Sequence, residues 1–70
     1  MSVYPNPASD RIFIEGENFD AIKLYDILGK EVLSSNKTKE INISNLPNGV
    51  YSVRIIADNK TIAAKKIVKK

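Results

Sequence analysis

The chain contains no cysteine and no histidine. The first absence excludes a disulfide framework and a thiolate metal site, and the second removes the usual imidazole ligand and the side chain that shuttles protons near neutral pH. Neither excludes an extracellular life, because a small domain can be held by packing alone. No run approaches the ~20 apolar residues that span a bilayer, and the N-terminus lacks the basic and apolar regions of a secretory signal, so a soluble domain is expected. Arginine occurs only twice, and a net charge of +3 with no nucleic-acid motif gives little support for binding DNA or RNA. Seventy residues leave room for one hydrophobic core and hence one domain.

What the chain does have is a series of short apolar alternations separated by turn residues. Arg11-Ile12-Phe13-Ile14-Glu15 sets Ile12 and Ile14 on one side, and Gly16-Glu17-Asn18 ends it. Ala21-Ile22-Lys23-Leu24-Tyr25 pairs Ile22 with Leu24; a tight connection around Gly29, able to take positive φ, then leads into Glu31-Val32-Leu33-Ser34. Residues 35–39 read as a polar loop. Glu40-Ile41-Asn42-Ile43-Ser44 reads as a half-buried strand, broken by Leu46-Pro47-Asn48-Gly49, where Pro47 lacks a donor and Asn-Gly suits a turn. The strongest strand covers residues 50–56, with Tyr51, Val53 and Ile55 on one face and Ile56 out of pattern, at a sheet edge or against another molecule. Asp58-Asn59-Lys60 makes a hairpin turn before a last strand over residues 61–68.

No stretch keeps a 3.6-residue apolar stripe for ten residues, so helix is not expected. Six or seven short strands with frequent turns predict an all-β fold, a small immunoglobulin-like antiparallel β-sandwich whose apolar faces bury each other.

Catalytic chemistry is a poor fit. The carboxylates Asp10, Glu15, Glu17, Asp20, Asp26, Glu31, Glu40 and Asp58 are scattered and define no close pair. Ser9, Ser34, Ser35, Ser44 and Ser52 have no histidine base, and no glycine-rich phosphate loop precedes a helix. A carboxylate-only calcium site around Asp10 or Asp26 is the minor alternative; neither neighbourhood has an EF-hand ligand pattern, so no cofactor or metal is expected. Asn36-Lys37-Thr38, Asn42-Ile43-Ser44 and Asn59-Lys60-Thr61 fit glycosylation acceptors formally and read as ordinary loop and strand polarity.

Four punctuated segments occur in order along the chain: Tyr4-Pro5-Asn6-Pro7; Leu24-Tyr25-Asp26-Ile27-Leu28-Gly29-Lys30-Glu31-Val32; Leu46-Pro47-Asn48-Gly49-Val50-Tyr51; and Lys66-Ile67-Val68. Together they resemble the C-terminal sorting domain of Bacteroidetes proteins exported by type IX secretion (type A, the Por secretion family). Each segment alone is a weak signal, and their ordered combination is a strong one. A departure is the added Lys69-Lys70 tail. The resemblance implies a non-catalytic export signal at the end of a larger secreted protein. Its partners would be the type IX translocon with its outer-membrane shuttle, and a sortase-like cysteine peptidase cutting upstream of the domain. The parent protein would pass through the periplasm to the outer-membrane surface or the medium. Residues 1–70 would then be a fragment holding the sorting domain, and Met1 ahead of Ser2-Val3-Tyr4 suits a start at a domain boundary.

Tyr4, Pro5, Asn6 and Pro7 read as a rigid entry segment in which Tyr4 covers an edge of the core, with a recognition surface as the alternative. Gly29 and Gly49 read as turn residues, Leu46 and Pro47 as the break before the strong strand, and Tyr51 as a core aromatic with its hydroxyl near the rim. The last strand, with Lys65, Lys66, Ile67, Val68, Lys69 and Lys70, is the candidate address: an edge ladder that a partner could extend, its four lysines steering association to an acidic surface. The plainer reading is that edge lysines discourage unwanted pairing. A structural or carbohydrate-binding module of a secreted enzyme is the alternative function; an exposed aromatic pair beside a polar groove would favour it, and buried Tyr25 and Tyr51 would weaken it.

Overall fold

In the computed structural model the alternating runs become seven strands: β1 (Ser2–Tyr4), β2 (Arg11–Glu15), β3 (Ala21–Tyr25), β4 (Glu31–Asn36), β5 (Glu40–Asn42), β6 (Gly49–Ala57) and β7 (Lys60–Lys69). The structure describes residues 2–16, 18–36 and 38–70. Met1, Glu17 and Lys37 lie outside them, and with them the expected chain start, the middle of the Gly16-Glu17-Asn18 turn and the middle of the Asn36-Lys37-Thr38 triplet. The strands form two sheets, β1-β2-β5 and β4-β3-β6-β7, and every pairing between strands is antiparallel. The result is the expected all-β sandwich of immunoglobulin-like type.

The core follows from period-2 alternation. Ile12, Ile14, Ile41 and Ile43 face Ile22, Leu24, Tyr51, Val53, Ile55 and Ile67 from the other sheet, all buried. Each such aliphatic side chain contributes roughly 1.5–3 kcal/mol on burial, which is the main stabilising term for so short a chain. Phe19 and Ala8 are buried as well, although neither belongs to an alternating run. Among the described residues no polar or charged residue is buried.

Several expectations need correction. β1 was not foreseen: Val3 pairs with Ile14 and packs against the core, while Tyr4 pairs with Phe13 and turns outward. Tyr4 therefore does not cover the core edge. It is 48% exposed and stacks on Phe13 with ring centroids 5.7 Å apart. β4 runs on through Ser35 and Asn36, because both pair with β3 instead of leaving as loop. Ile56 lies on a strand flanked on both sides, and its odd position in the pattern coincides with a register shift after Ile55. Gly49 has no positive φ and opens β6 opposite Lys69; the chain reverses earlier, where the Leu46 amide donates to the Ile43 carbonyl at 3.0 Å.

Two hairpins close as turn chemistry predicts. Asp58 and Asn59 have φ of 53° and 62°, the paired left-handed values of a two-residue type I′ turn. At the β3–β4 connection Gly29 takes φ 85°. Asp26 Oδ1 accepts the amides of Leu28 and Lys30, each at 2.9 Å, which locks that turn.

Candidate functional site

β7 is the last strand and lies at the edge of the four-stranded sheet. In an antiparallel ladder the N–H and C=O of one residue point the same way, so alternate residues of an edge strand aim both groups at solvent. Val68 is such a residue, and its groups are already taken. Asn6 Oδ1 accepts the Val68 amide at 3.0 Å, and the Ala8 amide donates to the Val68 carbonyl at 2.8 Å. Asn6 Nδ2 donates to the Lys66 carbonyl at 3.2 Å, and the Lys70 amide donates to the Ala8 carbonyl at 2.8 Å. The Asn6 carboxamide thus imitates one peptide unit of a neighbouring strand.

Pro5 and Pro7 flank it without N–H groups of their own, which suits them to the border of a sheet. The Tyr4–Pro5 and Asn6–Pro7 peptide bonds are cis. Tyr4-Pro5-Asn6-Pro7 therefore works as a strap over the C-terminal half of β7, ending in the parallel bridge between Ala8 and Lys69. The ladder expected to be open along the whole strand is covered from Lys66 to Lys70.

The terminal lysines do not form one patch. Ile67 is buried opposite Tyr51, which puts Lys65 on the inward side of the strand and Lys66 and Val68 on the outer side. Lys65 is an exposed charge on the core side of an edge strand, a placement that in sheets generally discourages edge-to-edge pairing. Lys66 lies across from Ser52 and lines a cleft of about 290 Å³ with Asp26, Ile27, Val50, Tyr51 and Ser52. Lys69 is half-buried opposite Gly49.

The other motif residues support this end of the sandwich. Leu46 packs against the core, and the buried Tyr51 donates its hydroxyl proton to the Pro47 carbonyl at 2.5 Å, four residues upstream. That bond ties the loop before β6 to the strand, as a tyrosine corner does in related sandwiches. Asn42 Oδ1 accepts both the amide and the hydroxyl of Ser44, at 2.8 and 2.7 Å, so the formal acceptor triplet there is a local turn.

Polar features elsewhere are structural. Arg11 and Glu40 form an exposed ion pair across β2 and β5; the hydrogen bond from Arg11 to Glu40 and then the Glu40 charge raise the Arg11 pKa above its usual value. Lys23 and Glu31 pair at 3.4 Å, and the Arg54 guanidinium sits 4.8 Å from the centroid of the half-buried Tyr25 ring. Among the described residues no group of three or more acidic side chains is placed to hold a metal, and no helix is long and apolar enough to cross a membrane. A second cleft, lined by Ala21, Lys23, Ser34, Ser35 and Asn36, has no aromatic wall. Tyr4 and Phe13 line neither cleft.

Sequence reasoning missed the exposed apolar residues Ile27 and Leu28, 78% and 88% exposed at the tip of the β3–β4 hairpin. Their signal was present: two aliphatic residues occupy turn positions where Asn, Asp, Ser and Gly are usual.

A family model described as "Secretion system C-terminal sorting domain" matches residues 2–70. No curated protein matches the chain.

Proposed function

The chain belongs to the secretion system C-terminal sorting domain family, which makes its role non-catalytic secretion sorting in an extracellular or outer-membrane context, and we propose that it is read by the type IX translocon and its outer-membrane shuttle. In this reading residues 1–70 are the C-terminal domain of a larger secreted protein, which crosses the periplasm and ends at the outer-membrane surface or in the medium. A sortase-like cysteine peptidase acts upstream of the domain. The observation that carries the proposal is the match over nearly the whole folded unit, in which the last strand lies at a sheet edge.

Lys65, Lys66, Ile67, Val68, Lys69 and Lys70 are the proposed recognition segment. The strap leaves them two modes of contact. A partner strand can pair with β7 only over the half near the Asp58-Asn59 turn, whereas the outer face at Lys66 and Val68 stays open to side-chain contacts. A periplasm-targeted reporter fused ahead of the domain, compared between a type IX-competent host and its translocon-deficient counterpart, tests the function. Surface delivery only in the competent host is expected; equal periplasmic retention of intact, folded fusion in both would sink the claim that this domain is a sufficient signal.

A glycan-binding module is the second reading: the stacked, partly exposed Tyr4 and Phe13 favour it, whereas their place outside both clefts and the burial of Tyr51 weaken it. It requires tyrosine fluorescence that responds to oligosaccharide in the parent chain and not in Tyr4→Ala.

A further inference from the structure

We infer that the β3–β4 hairpin tip is a preformed apolar anchor, in which Ile27 and Leu28 enter an apolar socket on a protein partner while Lys66 meets a carboxylate on its rim. The inference rests on the sorting reading and moves the centre of recognition from the ladder of β7 to the end of the sandwich.

The turn has no need of aliphatic side chains. Its geometry is set by Asp26, whose Oδ1 accepts the Leu28 and Lys30 amides and whose backbone bonds to Gly29 and Lys30 at 3.0 and 2.9 Å, and by Gly29 at φ 85°. Ile27 and Leu28 occupy the two positions that any residue with ordinary φ could fill, and both stand almost wholly in water. Four hydrogen bonds fix the tip before any partner arrives, so little ordering cost remains on docking. Beside it, the cleft at Val50 and Ser52 offers a short apolar wall and a hydroxyl.

The tip is also well placed. Tyr25 pairs with Ser52, Ser52 with Lys66 and Gly49 with Lys69, so the tip and the chain's last residues share one end of the molecule. Ser2 pairs with Glu15, while the start of β2 lies near Ala8 and Lys69; Ser2 is therefore at the opposite end, and cargo joined ahead of it leaves the tip clear.

Charge and area select a protein socket over the alternatives. Lys30 shares its hairpin with Asp26 and Glu31, Lys66 lies in a cleft with Asp26, and Lys69 is half-buried, so the cations at this end are interleaved with carboxylates and divided between faces instead of forming the cluster of about four to eight that holds an anionic lipid surface. Two side chains are far short of the roughly 1,000 Å² that a stable pair of copies would bury. Lys66 belongs to neither ion pair found among the described residues, which leaves its charge for a carboxylate on the partner.

The test is the reporter fusion in the competent host carrying Ile27→Ser with Leu28→Asn, alongside the conservative pair Ile27→Val with Leu28→Met, Lys66→Glu, and Lys60→Glu at the far hairpin. Delivery should fall at least about tenfold with the polar pair, as loss of interface anchors predicts, and less with Lys66→Glu. The conservative pair and Lys60→Glu should leave delivery unchanged, and the melting temperature of the polar pair should stay within about 4 °C of the parent. Delivery of the parent fusion with equal delivery of the polar pair overturns the anchor and leaves the sorting reading intact; failure of the parent itself overturns the sorting reading. Binding of the parent chain to phosphatidylcholine–phosphatidylglycerol vesicles that the polar pair abolishes would assign the tip to lipid. A dimer in sedimentation that the polar pair dissolves would assign it to a second copy. Either result overturns the protein socket.

Discussion

The two hairpin tips of the larger sheet solve the same problem with opposite side chains. Between β6 and β7 the chain reverses through Asp58 and Asn59, both in the left-handed region, where short polar residues are tolerated and β-branched ones are not. The Asp58 amide also donates to Asp20 Oδ2 at 2.8 Å, and the Asp20 amide to the Ile56 carbonyl at 2.7 Å, so that tip is tied into the fold. Between β3 and β4 the left-handed position falls on Gly29, and Asp26 supplies the side-chain bonds. The two residues in between are released from conformational duty, and they are Ile27 and Leu28. Side chains at the first tip are dictated by backbone geometry; at the second, geometry is met by the flanking residues and leaves the tip pair unconstrained.

Transplanting the apolar pair breaks the comparison most sharply. Asp58→Ile with Asn59→Leu puts two side chains into a conformation that costs roughly 1–2 kcal/mol per residue, so a loss of about 2–4 kcal/mol is expected. Thermal unfolding followed by circular dichroism reads it as a fall in Tm of more than about 8 °C for a domain of this size. An unchanged Tm would mean that the type I′ geometry imposes no demand on these residues. A smaller effect is expected from Asp26→Ala, which removes the acceptor of two exposed amide bonds and should cost about 1–2 kcal/mol. Loss of protection at the Leu28 and Lys30 amides in hydrogen exchange would locate that cost at the second tip.

Residues whose role depends on alternation or turn chemistry were legible in the sequence. Ile12, Ile14, Ile22, Leu24, Val53 and Ile55 announce their facing by spacing, and Gly29 and Asp58-Asn59 announce reversals. What was not legible depends on long-range contact. Asn6 is an ordinary loop residue until it meets Val68, 62 positions away. β1 is three residues long, too short for periodicity to be seen, and Phe19 enters the core from a connection and not a strand. Gly49 misled because Asn-Gly suits a turn, yet the loop had already reversed at residues 43–46 and Tyr51 anchors it through the Pro47 carbonyl. The candidate segment divided in the same way: the last strand that carries it was legible, whereas the strap and the splitting of Lys65 from Lys66 needed the fold.

The smallest expected effect on stability carries the comparison furthest. Ile27→Ser with Leu28→Asn replaces two exposed aliphatic residues that lie outside the buried core and whose side chains take no part in the hydrogen bonds of their own turn. Removing exposed side chains of this kind should change stability by no more than about 0.5 kcal/mol in either direction, and the replacements are themselves good turn residues. Chemical denaturation with urea should therefore give superimposable curves, with midpoint and slope unchanged. A large destabilisation would show that Ile27 and Leu28 pack on the Val50 and Tyr51 cleft of their own chain strongly enough to explain their presence. Equal stability removes the fold as a reason for two aliphatic residues in open water, and the delivery assay with the same pair then decides whether a partner supplies one.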